Sequence, residues 1–197
     1  MKRRYYGKVA VLTNNLQYTR IQENIVSFNI IEKFKEDFPL FLQQMREMGH
    51  AIIHLKYIDY PLCTRFIKDR PLPVSSKAVD PELIREFVCG SDIVVCRSKE
   101  SGFYQTLLDP ILKLLLVDTI VVAGFQMQSC IQATAADAYF HGYNVWIARD
   151  GMYSLYPENK KRTLTLLSRY CATVLDLQTI IDYLKSNSCL PAKIRNG

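Results

Sequence analysis

Six short apolar runs constrain this chain more than any other feature: KVAVLT (8–13), AIIHLKY (51–57), DIVVCR (92–97), DTIVVAG (118–124), YNVWIA (143–148) and ATVLD (172–176). Each is rich in Val and Ile and lacks the polar alternation of a strand with one wet face, so both faces of the sheet they build must be covered. The stretches between them space apolar residues three or four apart. In 21–48 these are Ile25, Phe28, Ile31, Phe34, Phe38, Leu42 and Met45, with Pro39 predicting a break midway. Asp80 and Pro81 predict a short helix through Val88, with Asp80 as its N-cap. Further helices are expected over 105–116, 128–141, 158–170 and 177–186; Gly142 would end the one before it and Asp176 would cap the last. Strand–helix alternation joins parallel strands through right-handed crossovers. The expected fold is α/β: a three-layer α/β/α doubly wound domain on a six-stranded, mostly parallel sheet. A single domain over residues 1–197 is expected, because nothing in the chain reads as a linker or a repeat.

Composition narrows the function classes. Hydrophobic residues make up 49% and charged residues 22%, an ordinary soluble balance. No apolar run approaches the roughly 18 residues of a membrane span, and the run after the basic MKRRYYGK start is too short for a secretory leader. The six cysteines (63, 89, 96, 130, 171 and 189) include no CxxC pair and no finger spacing. Free thiols, a reducing intracellular compartment (cytoplasmic or organellar) and no membrane partner are therefore expected. The formal charge of +6 is spread along the chain in blocks no longer than KRR or KKR, so it supports nucleic-acid binding only weakly. Residues 58–79, with their prolines and basic side chains, read as a long surface loop suited to partner contacts.

In such sheets ligands sit beyond the carboxyl ends of the strands. That rule gathers Thr13 to Gln17, Cys96 to Phe103 and Gly124 to Cys130. Cys130 follows a strand and opens a helix, where the positive helix terminus favours a thiolate. Position alone leaves two readings open: a nucleophile, or a small hydrophobe filling space.

The stretch GFQMQSCIQATAADAYFHGYNVWIARDGMYS (124–154) carries more. A Gly is followed by five variable residues and Cys130, then Thr134-Ala135, Asp137-Ala138, Gly142-Tyr143, Asp150 and Ser154. Upstream, SGFYQTLLDPIL (101–112) supplies a Ser, a small residue and an aromatic leading to Thr and a helix. These motifs resemble the isochorismatase-like family of cysteine hydrolases, which includes nicotinamidases and carbamoyl-amide hydrolases. The resemblance runs from about Lys8 to Leu184 and is strongest in 92–154.

It implies a thiolate attacking an amide carbonyl, a carboxylate at the end of strand one that takes the thiol proton, and a lysine at the end of strand three. It also implies an oxyanion hole from the backbone N–H groups of Gln126 and Cys130, beside a cis Phe125–Gln126 bond, with Phe103, Phe125 and Gln17 around the pocket. Two of the three side chains depart from the pattern. TNNLQY places Asn15 where the family has aspartate, and Arg97 stands in place of the lysine. Asparagine has no proton-accepting state near neutral pH, and arginine cannot relay a proton. Asp59, Asp109 and Glu100 are the candidates for a substitute base.

No Asp-x-His pair follows strand two, so no metal is expected and no cofactor is implied. His54 is expected within strand two, and His50 and His141 at helix ends. The expected function is a catalytically impaired, isochorismatase-like subunit of a homo-oligomer or larger assembly that binds a small amide. The alternatives are an active cysteine amidase using Cys130 and, more weakly, an RNA-contacting protein.

Overall fold

Apolar strands that cannot expose either face must be sandwiched, and the chain achieves this with helices on both sides of one parallel sheet. The computed structural model describes residues 8–18, 28–58, 83–153 and 157–186. Strands β1 (Lys8–Asn14), β2 (Ala51–Tyr57), β3 (Ile93–Arg97), β4 (Val117–Phe125), β5 (Asn144–Tyr153) and β6 (Thr173–Leu175) pair in the order β3-β2-β1-β4-β5-β6. All the pairings are parallel. The expected six-stranded doubly wound sheet is therefore the fold observed, and every expected strand lies within a few residues of its place.

Side chains alternate between two cores. Ala10, Leu12, Ile120, Val122, Val145 and Ile147 point to one face, covered by α2 (Leu108–Leu114), α3 (Gln132–Phe140) and α4 (Pro157–Tyr170). Val9, Val11, Val121, Ala123, Trp146 and Ala148 point to the other, covered by α1 (Phe28–Glu47) and α5 (Leu177–Lys185). Small residues set the spacing: Ala135 and Ala138 are fully buried, which lets α3 lie close on the sheet.

Three local expectations need correction. First, α1 continues through Pro39. Phe34, Phe38, Phe41, Leu42 and Met45 all bury on one stripe across it, and that packing outweighs the lost hydrogen bond. Second, the helix expected to end at Val88 is a 3-10 turn, Arg85–Phe87, preceded by Ile84 with no side-chain cap; Asp80 and Pro81 lie outside the described residues. Third, the side chain of Asp176 does not cap α5. The Leu177 N–H donates instead to Asp150 Oδ1 at 2.8 Å, while Asp176 pairs with Arg149. Gly142 does end α3 in left-handed geometry, at φ 90°. The expected 58–79 loop and Asp59 fall outside the described residues, apart from Ile58. Among the described residues no helix is long and apolar enough to cross a membrane.

Candidate functional site

Strand order reverses between β1 and β4, so the chain leaves these neighbours in opposite directions and opens a crevice at their carboxyl ends. Backbone geometry there is specialised. Gly124 has φ 110°, and a Cβ on it would sit 2.3 Å from the Asn14 carbonyl oxygen, so only glycine lets β4 end this close to β1. Two non-glycine residues in left-handed geometry flank the crevice, Asn15 at φ 54° and Gln126 at φ 62°. Such conformations persist where the surroundings impose them. Cys130 lies in a π-turn, Met127–Ile131, that leads directly into α3; wide turns of this kind recur at functional sites.

These elements carry one continuous hydrogen-bonded chain. Arg97 Nη2 donates to Asn15 Oδ1 at 2.6 Å. Asn15 Nδ2 donates to Gln126 Oε1 at 2.8 Å. The Cys130 thiol donates to that same oxygen at 3.2 Å, and Ser129 Oγ donates to the sulfur at 3.7 Å. Asn15 and Arg97 are fully buried and Cys130 nearly so. The three expected side chains are thus brought together, but through a fourth, Gln126, which stands between Asn15 and the sulfur.

Arg97 makes no ion pair with a described carboxylate. Nη1 donates to the Lys99 carbonyl, its Cζ lies 5.5 Å from the centre of the Tyr57 ring, and Nε is buried with no hydrogen-bond partner. Of the candidate bases, Asp109 is held elsewhere by Lys113 (2.6 Å) and Tyr143 (2.8 Å), and Glu100 is exposed. Among the described residues no three His, Cys, Asp or Glu side chains converge on a metal position.

The remaining pocket assignments are redirected. The ring of Phe103 stacks on His141 at 4.8 Å, at the far end of α3 from Cys130. The ring of Phe125 faces the α1 layer, packed on Phe34 and Tyr153, because residues alternate along β4. Gln17 clips β1 to β2: its amide donates to the Tyr57 carbonyl at 3.0 Å, and its oxygen accepts the Tyr57 N–H at 2.8 Å. The expected cis Phe125–Gln126 bond is trans, as are all described peptide bonds, and left-handed Gln126 turns the chain instead. The backbone carbonyl of Gln126 accepts the Ser129 and Ile131 N–H groups, both at 3.3 Å, so of the two expected oxyanion donors Gln126 opens this turn and Cys130 lies within it.

The Thr134 and Asp137 motif acquires a physical reason. Ser101 donates to Asp137, and the Gly102 N–H donates to Thr134 Oγ1 at 3.0 Å. Thr134 reaches Asn14 Oδ1 at 3.4 Å, and Asn14 reaches the Ala123 carbonyl at 3.4 Å. This clamp fixes the loop after β3 against α3. It was missed because the motif marks the positions without saying which partners they hold.

A second buried constellation involves His54, which is in β2 as expected. Thr13 Oγ1 lies 2.7 Å from His54 Nδ1, and Asp92 Oδ2 lies 3.0 Å from His54 Nε2. Asp92 is also gripped by Arg46 at 2.9 and 2.6 Å and by the Cys89 N–H at 2.8 Å. Burial holds the imidazole below its ordinary value, overriding the opposing pull of Asp92. Burial pushes the Asp92 carboxyl up, but the Arg46, Cys89 and His54 bonds together hold it below the ordinary carboxylate value. This group pins β1, β2 and α1 together.

Known proteins share the fold and part of the sequence. A maleamate amidohydrolase from Pseudomonas putida is 31% identical over 90 residues, covering 46% of this chain and 39% of that protein. The matched stretches span less than half the length of the curated relatives. Two solved structures share the fold. An isochorismatase-like hydrolase from Alkaliphilus metalliredigens has TM-score 0.72 at 22% identity, over 89% of this chain and 98% of that one. N-carbamoylsarcosine amidase from Thermoplasma acidophilum has TM-score 0.70 at 24% identity, over 86% and 96%. The model of the isochorismatase domain matches residues 21–179, most of the chain and all of the crevice beyond β3 and β4, so this protein belongs to the isochorismatase family.

Proposed function

We propose that this protein is a catalytically impaired amidase-like member of its family, which holds a small amide at Cys130 and turns it over poorly. One observation carries the reading. The Cys130 thiol donates to the neutral carboxamide of Gln126, and among the described residues no carboxylate oxygen has a hydrogen bond with the sulfur. A neutral carboxamide cannot take the thiol proton near neutral pH. Positioned proton transfer is worth about 10²–10⁴ in rate, and that factor is forfeited here. Amide chemistry is supported by the amidohydrolase relative. Service as a homo-oligomer or assembly subunit belongs to the same reading, and light scattering tests it as a solution mass above the 22.8 kDa of one chain.

The second reading, an active cysteine amidase, draws on the retained Cys130 at a turn opening α3 with a cation two hydrogen bonds from Gln126. A panel of small primary amides separates the two. The unmodified protein is expected to show kcat/KM at least about 100-fold below a variant combining Asn15→Asp, Arg97→Lys and Gln126→Ala. The third change is needed because Gln126 would otherwise stay between the new carboxylate and the sulfur. Turnover by the unmodified chain at about 1–10³ per second, the usual enzyme range, would overturn the impaired reading.

A further inference from the structure

We propose that the cleft between β5, β6 and α4 binds a small organic phosphate, a phosphate monoester with a compact apolar body. The cleft lies beside the carboxyl ends of β5 and β6, whereas the Cys130 crevice opens between β1 and β4. The two are separate, and nothing in the argument depends on how Cys130 is read. The cleft holds about 710 Å³, within the roughly 300–1,000 Å³ of small-molecule sites.

An irregularity in β5 builds one wall. The strand is in register with β4 at Ile147–Val122 and again at Met152–Gly124, so four of its residues stand opposite Ala123 alone. Bulges re-aim side chains and recur beside functional sites. This one turns Arg149 and Asp150 out towards the cleft, although the residues before and after them along β5 are buried. It is also tightly packed: a Cβ on Gly151 would come within 3.0 Å of Leu177 and 3.1 Å of Ala148. The facing wall is one stripe of α4, where Lys160, Lys161, Leu164 and Thr165 recur at helical spacing.

Charge selects the ligand. Lys160 is partly buried, and its ammonium donates only to the Met152 carbonyl, at 3.3 Å. Burial holds it below the ordinary lysine value, and the nearby Asp150 carboxylate opposes this only in part. Asp150 itself accepts the Leu177 N–H at the start of α5, and Arg149 pairs with Asp176 at 3.1 Å. Among the described residues neither Lys160 nor Lys161 has an ion pair. Two cations are therefore uncompensated, and one of them is partly withdrawn from water, where an ion without a counter-ion is disfavoured. A phosphate monoester brings a charge of about −1.5 to −2 and three acceptor oxygens. That matches two lysine heads, which act as point charges, better than a planar carboxylate suited to a single guanidinium fork. Leu164 and Val174 supply an apolar floor for the ester group. The Thr165 hydroxyl is turned back to the Lys161 carbonyl, so recognition rests on the cations and that floor.

Three probes test this by calorimetric titration at pH 8 and fixed ionic strength: phenyl phosphate, phenyl sulfate and inorganic phosphate. Phenyl sulfate keeps the ring and the three oxygens but carries a single charge. Inorganic phosphate keeps the charge but has no apolar body. Phenyl phosphate is expected to bind at least about tenfold more tightly than either. Lys160→Gln and Lys161→Gln should each remove most of its margin over phenyl sulfate. Arg162→Gln, which removes a cation of the same helix outside the cleft, should leave that margin unchanged. The proposal is overturned if phenyl phosphate fails to bind at about 10 mM, or binds no more tightly than either comparison probe. It is overturned too if Arg162→Gln costs as much as Lys161→Gln, because the attraction would then belong to a diffuse basic surface. Should Lys160→Gln not fold, the exposed Lys161 and its Gln variant decide together with the three probes. Prior alkylation of Cys130 by iodoacetamide fills the β1–β4 crevice and should leave the affinity as it was. Loss of binding after alkylation would place the anion in that crevice and sink the proposal.

Discussion

At the scale of single residues, the decisive fact is that Gln126 separates Asn15 from Cys130. The family resemblance picked out Cys130, Asn15 and Arg97, because each falls at a fixed place in its motifs, whereas strand-end position alone gave only the segments that hold them. Gln126 was placed only as a backbone donor. Its side chain reaches the sulfur because its backbone is left-handed, at φ 62° and ψ 62°, and no sequence pattern predicts that for a glutamine. The consequence is measurable. Truncation by Gln126→Ala removes the acceptor to which the thiol donates, a bond worth about 1 kcal/mol. The alkylation rate of Cys130 by iodoacetamide at pH 7 should then rise about fivefold. An unchanged rate would mean that the Gln126 contact does not govern the thiol.

At the scale of elements, periodicity located all six strands because the inner ones are buried on both faces and the edge strands β3 and β6, though only partly buried, share their apolar composition. It was weaker where tertiary contacts override local chemistry: α1 runs through Pro39 on a buried aromatic stripe, and α5 takes its cap from Asp150 rather than its own Asp176. The His54–Asp92 pin was invisible for the same reason, since Thr13, His54, Asp92 and Arg46 come from four separate segments. It makes a pH prediction. Native His54 takes up a proton only below its ordinary value, whereas the unfolded chain does so near pH 6.5. Protons therefore favour unfolding, and stability falls as pH drops below about 6.5. His50, also lowered by burial, adds to the same slope. Asp92, held low, loses its contribution only as pH falls further, through the carboxylate range. Urea midpoints measured from pH 8 to pH 5 should decline, and His54→Gln should flatten part of that decline. An identical slope in the variant would remove His54 from the account.

At the scale of the whole molecule, the two cores are separate clusters that share the same strands. Leu12 and Val11 are consecutive residues of β1, yet they belong to opposite layers, as do Val122 and Val121 of β4. Neither layer can come apart without exposing the back of the sheet that supports the other. A chain built this way should unfold as one unit, as the absence of any linker in the sequence led us to expect. The test uses one truncation per layer: Leu112→Ala in α2 and Leu42→Ala in α1, both fully buried. Each should cost about 2–5 kcal/mol, and at this chain length each kcal/mol lowers the thermal midpoint by about 2–4 °C. The single tryptophan, Trp146, is buried on the α1 side, whereas far-UV circular dichroism reads helices of both layers. If the layers are coupled, fluorescence and dichroism transitions coincide in both variants, so that Leu112→Ala shifts the Trp146 signal from across the sheet. A Trp146 transition that stays put when Leu112 is truncated would mean that the two faces melt independently, and that the crevice between β1 and β4 is supported from one side only.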